Sequence, residues 1–223
     1  TKEFLTNLYA SILAQACNFG LDQMEDITGI SYRKLAWCTT WYVREDTLKP
    51  AFSKIINYQH KLPFANNWGC GTLSSSDGQR LPVSVKTRHA KPLPKYFGYG
   101  QGLTYYTWTS SQFSQYGIKV TPSTMLDAPY VLDEILGNET DLEILEHTTD
   151  TAGQTEKIFG AFGLVGPLFT PRIKDIGTQK LYRFKSIDIK KYPKIKNRFK
   201  GIINEERLLK HWDDLLRIGG SLK

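Results

Sequence analysis

The chain has 223 residues, of which 40% are hydrophobic and 13% aromatic, and carries a formal net charge of +7. That length buries a substantial core, as one large domain or one domain with an appendage. No apolar run approaches the roughly 18 residues of a membrane-spanning helix. Cys17, Cys38 and Cys70 stand far apart without a Cys-x-x-Cys pair, which argues against a disulfide framework or a zinc cluster and suits a reducing cytoplasm. Thr1-Lys2-Glu3 reads as the direct start of a helix, so no signal peptide is expected, and the end at Gly219–Lys223 has no obvious stop, so the sequence reads as a piece of a longer protein.

Residues 3–19 place Phe4, Leu5, Leu8, Ile12 and Leu13 at helical spacing, with Gly20 as the expected cap. A second helix is expected from Ser31 toward Lys49, with Pro50 after it, and a third over residues 51–58. Ser31-Tyr32-Arg33-Lys34 fits a Ser-x-x-Lys nucleophile motif, but without companion motifs it reads as a helix start. These elements form a helical segment over residues 1–66.

The hydrophobic period then shifts toward 2. Residues 71–77 read as a strand ending on Asp77, although Asp77-Gly78 is also a common turn pair. Residues 80–94 carry three prolines and read as an irregular extended segment. The glycines of residues 98–102 lack the Lys-Ser/Thr ending of a phosphate loop. Residues 103–109 and 116–121 are rich in β-formers and suit a hairpin. A short helix is expected over residues 129–137, a buried strand over 142–149 leading to Asp150, and a helix around Ile158, Phe159 and Phe162. Residues 168–173 and 180–184 are candidate further strands. Residues 186–200 are lysine-rich, and Asn204 caps an amphipathic helix ended by Gly219-Gly220. The order strand, strand, strand, helix, strand, helix predicts an α/β fold with a mixed central sheet. The expected organisation is a helical segment (1–66), a core (67–185) and a basic insertion with its helix (186–223).

Charge is unevenly distributed. Residues 78–126 hold six basic side chains and no acid, residues 127–150 hold eight acids and no Lys or Arg, and residues 172–210 hold thirteen basic side chains against four acids. Basic blocks around an acidic one suggest a polyanion partner, with carboxylates kept for another task, although a solvated basic face accounts for the charge equally well. Arg80, Lys86, Arg88, Lys91 and Lys95, which follow Asp77, are candidate phosphate contacts for such a polyanion.

Asp77 ends the first expected strand and Asp150 the fourth, 73 residues later. In a ribonuclease-H-like sheet those two strands are neighbours, so the acids would face one another. Two facing carboxylates suit a hard divalent cation such as Mg²⁺, and two such ions can drive in-line displacement at phosphorus. His147 reads as a structural strand histidine or as a phosphate or metal-tuning group. Tyr105, Tyr106 and Trp108 read as strand packing, and Ser74, Ser75 and Ser76 as strand residues.

Four segments carry a family resemblance: Gly71–Arg80 (GTLSSSDGQR), Tyr96–Tyr106 (YFGYGQGLTYY), Tyr130–Asp141 (YVLDEILGNETD) and Glu146–Gly153 (EHTTDTAG). They resemble the catalytic region of Tn3-family transposases, as do Ser31–Trp37 and His211–Arg217. The resemblance runs in order along essentially the whole chain. It implies a DDE-type transposase with a ribonuclease-H-like core and Mg²⁺, for which Mn²⁺ can substitute. Such an enzyme nicks transposon 3′ ends and joins the 3′-OH to target DNA in replicative, cointegrate-forming transposition.

The implied partners are the terminal inverted repeats, target DNA and a second copy of the full-length protein. The implied location is the bacterial cytoplasm, at the nucleoid. The family's first two acids fall on Asp77 and Asp150. Its third, a Glu, is expected beyond the region matched by residues 211–223, so the site in this chain is expected to be incomplete and inactive alone. Glu205 and Glu206, 55 and 56 residues after Asp150, are read as helix-capping residues. Two other readings stay open: a non-catalytic DNA-binding module, and a metal-dependent nuclease on the same sheet.

Overall fold

A computed structural model describes residues 1–222, with the backbone alone for Ala152. Two compact units emerge, residues 1–59 and 60–223. The first contains α1 (Lys2–Ala16), α2 (Leu21–Thr28), α3 (Tyr32–Tyr42) and most of α4 (Glu45–His60). Its core is Ala10, Ala14, Met24 and Leu35, with Leu21 and Ile30 packed against it. The Ser11 hydroxyl, fully buried, reaches the Leu35 carbonyl at 3.2 Å and ties α1 to α3.

The punctuation of this unit differs from expectation. The first helix ends at Ala16, and Gly20 (φ +78°) opens α2 instead of closing α1. The cause is Asn18 at φ +55°, after which Phe19 and Gly20 turn their N–H groups back onto the Ala14 carbonyl. The helix expected to reach Lys49 stops at Tyr42, where the Thr47 hydroxyl bonds the Tyr42 carbonyl at 2.7 Å. Pro50 lies inside α4 rather than after a helix.

The second unit is built on a six-stranded sheet. Its strands are β1 (Leu73–Val83), β2 (Lys91–Pro92), β3 (Gln101–Ser110), β4 (Gln115–Pro122), β5 (Glu146–Thr149) and β6 (Leu168–Phe169). The order is β2-β3-β1-β5-β6, with β4 also paired to β3. β1 runs antiparallel to β3 and parallel to β5, and β5 is parallel to β6. This curled mixed sheet with flanking helices is a ribonuclease-H-like α/β arrangement, in which the strands carrying the two acids are neighbours.

β1 does not stop at Asp77, and Asp77-Gly78 is no turn. The strand continues to Val83, with Asp77 opposite Thr107 and Pro82 opposite Gly102 on β3. Beyond Ser76 the other edge of β1 has no paired residue on β5, so Pro82 sits where a missing N–H costs no ladder bond. β5 begins at Glu146 rather than Leu142. The reason is upstream, where Asn138 accepts from Thr140 N–H at 3.0 Å and donates to the Leu142 carbonyl at 2.8 Å, holding those residues in a turn.

The β3–β4 hairpin closes through a Ser110–Ser114 hydroxyl pair at 2.7 Å and the buried Gln112, whose amide bonds His60 and the Gly69 carbonyl, both at 2.9 Å. The expected helix over 129–137 is instead a 3₁₀ turn, Ala128–Tyr130, and a four-residue α6 (Asp133–Leu136), with α5 (Pro94–Phe97) preceding β3. Trp108, fully buried, donates to the Val131 carbonyl at 2.9 Å and fixes this segment to the sheet.

α7 (Glu156–Val165), N-capped by Thr155, lays Phe162 on Phe169 with ring centroids 4.4 Å apart. Further on, β7 (Leu181–Arg183) pairs in parallel with β8 (Phe199–Ile202), a strand the lysine-rich sequence around it hides. The C-terminal amphipathic segment divides at His211 into α8 (Glu205–Lys210) and α9 (Trp212–Leu222). Gly219 lies within α9, not past its end. A Cβ there would stand 3.3 Å from Leu164 Cβ, so α9 packs on α7 at a position without a side chain.

Candidate active site

The site is assembled by one ladder. Parallel pairing of β1 and β5 sets Ser74 against His147 and Ser76 against Thr149. Asp77 and Asp150 each stand one residue beyond the last rung of this ladder, Ser76–Thr149. Both acids are exposed, while Ser74, Ser76, His147 and Thr149 are buried. This is the period-2 alternation of a strand pair with one packed face and one wet one. Asp77 Oδ1 accepts from the Gly78 N–H at 2.7 Å. Asp150 Oδ1 accepts from the Gly153 N–H at 3.2 Å across a 3₁₀ turn, Thr151–Gly153.

Beneath the acids lies a closed polar chain. His147, fully buried, bonds Ser74 Oγ through Nδ1 at 2.7 Å and Ser76 Oγ through Nε2 at 2.9 Å. Ser76 Oγ continues to the Tyr106 hydroxyl at 2.7 Å. Phe162 and Phe169 stack with the imidazole at 5.8 and 6.4 Å. Burial pushes the imidazole pKa down to about 4, so His147 is neutral at pH 7. The Tyr106 hydroxyl is pushed up, first by burial and further by Asp127, Asp150 and Asp77, against the lowering effect of its bond to Ser76. His147 thus clamps β5 to β1 through both ring nitrogens.

A third carboxylate escaped the sequence reading. Asp127 is 6% exposed, and a Cβ on Gly78 would stand 3.0 Å from its Oδ1 and 3.1 Å from Thr104 Cγ2. Glycine at 78 is what lets this carboxylate close on β1. Burial raises the Asp127 pKa, Arg80 opposes the rise, and Asp150 and Asp77 add to it. The sequence did hold one signal, since Asp127 is the first acid after Asp77.

Of the five candidate phosphate contacts, Arg80 and Lys95 are brought together on the ring of Tyr96, at 4.9 and 5.3 Å from its centroid. Lys86 and Arg88 are exposed on the connection after β1, and Lys91 is exposed in β2. Arg172 and Lys174, read from sequence only as part of a basic block, line a cleft of about 480 Å³ with Asp150, Thr151, Ile173 and Asp175. The Arg172 N–H donates to the Thr149 carbonyl at 2.8 Å, which holds this wall beside the end of β5. Glu205 accepts from the Lys185 N–H at 3.2 Å, and Asn204 caps α8 through the Arg207 N–H at 2.9 Å.

Among the described residues, no group of three His, Cys, Asp or Glu stands close enough to hold a metal ion. The donor chemistry of Asp77 and Asp150 nevertheless fits a hard divalent cation: two carboxylates, each one residue past the last β1–β5 rung and each also accepting a backbone N–H.

A ribonuclease-H-like sheet bearing two acids on neighbouring strands defines a class of nucleic-acid-processing domains. The chain belongs to the Tn3 transposase DDE domain family, which matches residues 1–223. It is 40% identical over 223 residues to the transposase for transposon Tn1546 of Enterococcus faecium, covering 100% of this chain and 22% of the relative. Identity to the transposase for transposon Tn21 of Escherichia coli is 40% over 217 residues, covering 97% and 22%. The transposase for transposon gamma-delta of Escherichia coli (strain K12) is 36% identical over 220 residues, again 97% and 22%. The chain therefore spans about 22% of the length of these relatives. No solved structure matches.

Proposed function

We propose that this chain is part of the catalytic region of a DNA transposase, nicking transposon 3′ ends and transferring the freed 3′-OH to target DNA in replicative, cointegrate-forming transposition. The observation that supports the reading is the parallel β1–β5 ladder, whose last rung, Ser76–Thr149, stands one residue before Asp77 and Asp150, acids 73 residues apart in sequence. Membership of a DDE domain family implies divalent metal use in general, and we take the ion to be Mg²⁺, with Mn²⁺ as a substitute. Bound by the two carboxylates, such ions supply activation of the attacking oxygen and stabilisation of the leaving one.

The chain's own residues hold that arrangement. Asp77 is fixed mid-strand by its pairing with Thr107, and Asp150 by its turn onto Gly153. His147 stays neutral and moves no proton to the reacting atoms, because both ring nitrogens are committed to Ser74 and Ser76. Arg172 and Lys174 beside Asp150, with Lys86, Arg88, Lys91 and Lys95 beyond Arg80, offer cations to phosphates. The third acid, a Glu, is assigned to sequence beyond this chain, so residues 67–185 form an incomplete core that is inactive alone. Partners in the full-length protein are the terminal inverted repeats, target DNA and a second protomer.

The test is Asp77→Asn in a full-length transposase that carries this chain. Strand cleavage at inverted-repeat ends is expected to fall at least about a thousandfold, with end binding unchanged, because transition-state stabilisation by the ions is lost. Undiminished cleavage overturns the assignment. Loss of end binding in parallel makes Asp77 a structural part of a binding module instead.

A further inference from the structure

Resting on the reading of Asp77 and Asp150 as metal-binding acids, we propose that the cleft beside Asp150 seats the DNA phosphate next to the scissile one on the cut strand, with Arg172 as the group that holds it. The backbone puts Arg172 there. Leu168, Thr170 and Arg172 donate their N–H groups to the carbonyls of Leu145, His147 and Thr149 at 2.8–2.9 Å, so the chain after β6 follows β5 to its end. The offset that pairs Leu168 with Glu146 sets Arg172 opposite Asp150. The Thr151 hydroxyl adds a bond to the Arg172 carbonyl at 3.3 Å.

Alternation along the chain then decides the face. Phe169 is buried with His147, whereas Thr170 is exposed and donates its hydroxyl to the Glu146 carboxylate at 2.8 Å. Two residues on, Arg172 shares the face of Thr170, as Asp150 shares that of Glu146. Arg172 and Asp150 are both exposed, and both line the cleft of about 480 Å³. Among the described residues Arg172 makes hydrogen bonds through its backbone alone, which leaves the guanidinium donors uncommitted.

Charge and spacing define the ligand. The cleft holds two cations, Arg172 and Lys174, and two acids, Asp150 and Asp175. Once Asp150 is given to a divalent ion the balance turns positive, and the seat favours an anion. A guanidinium matches a phosphate through two parallel N–H···O bonds, which fix orientation as well as position. Neighbouring strands lie about 5 Å apart, and the arginine side chain adds further reach. That span suits one nucleotide step from a phosphate held at the two acids. Such a contact aligns the reacting phosphate, so its loss falls on cutting more than on end binding, which many phosphate contacts share.

The experiment uses a full-length transposase that carries this chain, at saturating concentration, on inverted-repeat ends with an uncharged methylphosphonate on one side or the other of the scissile phosphate. At one of the two positions the wild type is expected to lose at least about tenfold in cutting rate, the scale of one hydrogen-bonded charge contact. Arg172→Gln is expected to lose as much on unmodified ends, and to change by no more than about twofold when that same phosphate is neutral. End binding is measured in Ca²⁺, before any cutting. There Arg172→Gln is expected to reduce the salt slope by about one on unmodified ends and to leave it unchanged on the neutral-phosphate ends.

Wild-type cutting by Arg172→Gln, a wild type indifferent to both neutral phosphates, or losses that multiply at both positions overturn the inference. Thermal melting checks the fold of each variant. If Arg172→Gln does not fold, Arg172→Lys, which keeps the charge and loses the two-pronged contact, is read instead. It is expected to be less sensitive than wild type to the neutral phosphate, and full wild-type sensitivity overturns the inference. Failure of the underlying reading looks different, because then Asp77→Asn and Asp150→Asn still cut.

Discussion

Two faces of the same pair of strands differ in almost every physical respect. On one, Ser74, Ser76, His147 and Tyr106 are buried, neutral and joined by three hydrogen bonds of 2.7–2.9 Å. On the other, Asp77 and Asp150 are exposed acids, each one residue past the last rung of the ladder. The comparison teaches where the positional accuracy of an acid pair comes from. Two like charges do not hold each other in place, so the dry face fixes the register that the wet face uses. A satisfied buried polar network specifies one alignment more sharply than an apolar one, because a slipped register leaves donors and acceptors unpaired.

Breaking the dry face should have the largest effect. His147→Ala removes a fully buried ring and takes one hydrogen bond each from the Ser74 and Ser76 hydroxyls, and is expected to cost about 3–5 kcal/mol in urea unfolding. The same substitution should weaken any metal site, since the acids lose their shared reference.

Acid should reproduce part of that loss. The folded imidazole pKa is depressed to about 4 from 6.5, so the neutral, folded form is favoured above pH 6.5. That contribution is lost as pH falls from 6.5 through 4, and amounts to about 3 kcal/mol. Unfolding free energies measured between pH 7 and 4 should show the slope, and His147→Ala should flatten it. Asp127, whose carboxyl pKa is raised, works in the opposite direction. The slope should therefore be cleanest in an Asp127→Asn background.

The smallest effect belongs to the wet face. Asp77→Asn relieves repulsion between exposed acids and is expected to change stability by no more than about 0.5 kcal/mol, upward at low salt. A large destabilisation would mean that Asp77 is part of the packing after all.

Much of this was legible in the sequence because the relevant signals are local. Alternating β-formers marked β3 and β4, and the strand order followed from them. The acids could be paired because in a ribonuclease-H-like sheet the first and fourth expected strands are neighbours. What stayed hidden depends on tertiary partners. The extension of β1 through Pro82 needs β3 opposite it and an open edge on the other side. The placement of Gly219 inside α9 needs Leu164 against it. Asp127 carried no motif, and its significance arises only when Gly78 lets it close on the strand. The His147 network was ambiguous for the same reason, since a strand histidine looks alike in sequence whether it meets serines or a phosphate.

Because the Ser76–Thr149 rung sets the spacing of Asp77 and Asp150 directly, the chain between them does not act as a ruler. Residues 84–100 and 123–145 leave the sheet's long strands and return to it, and their length does not enter the distance between the acids. These excursions can thus lengthen, shorten or change charge while the rung that spaces the two acids is kept. Change in the excursions and change at the acids fall on separable stretches of one polypeptide.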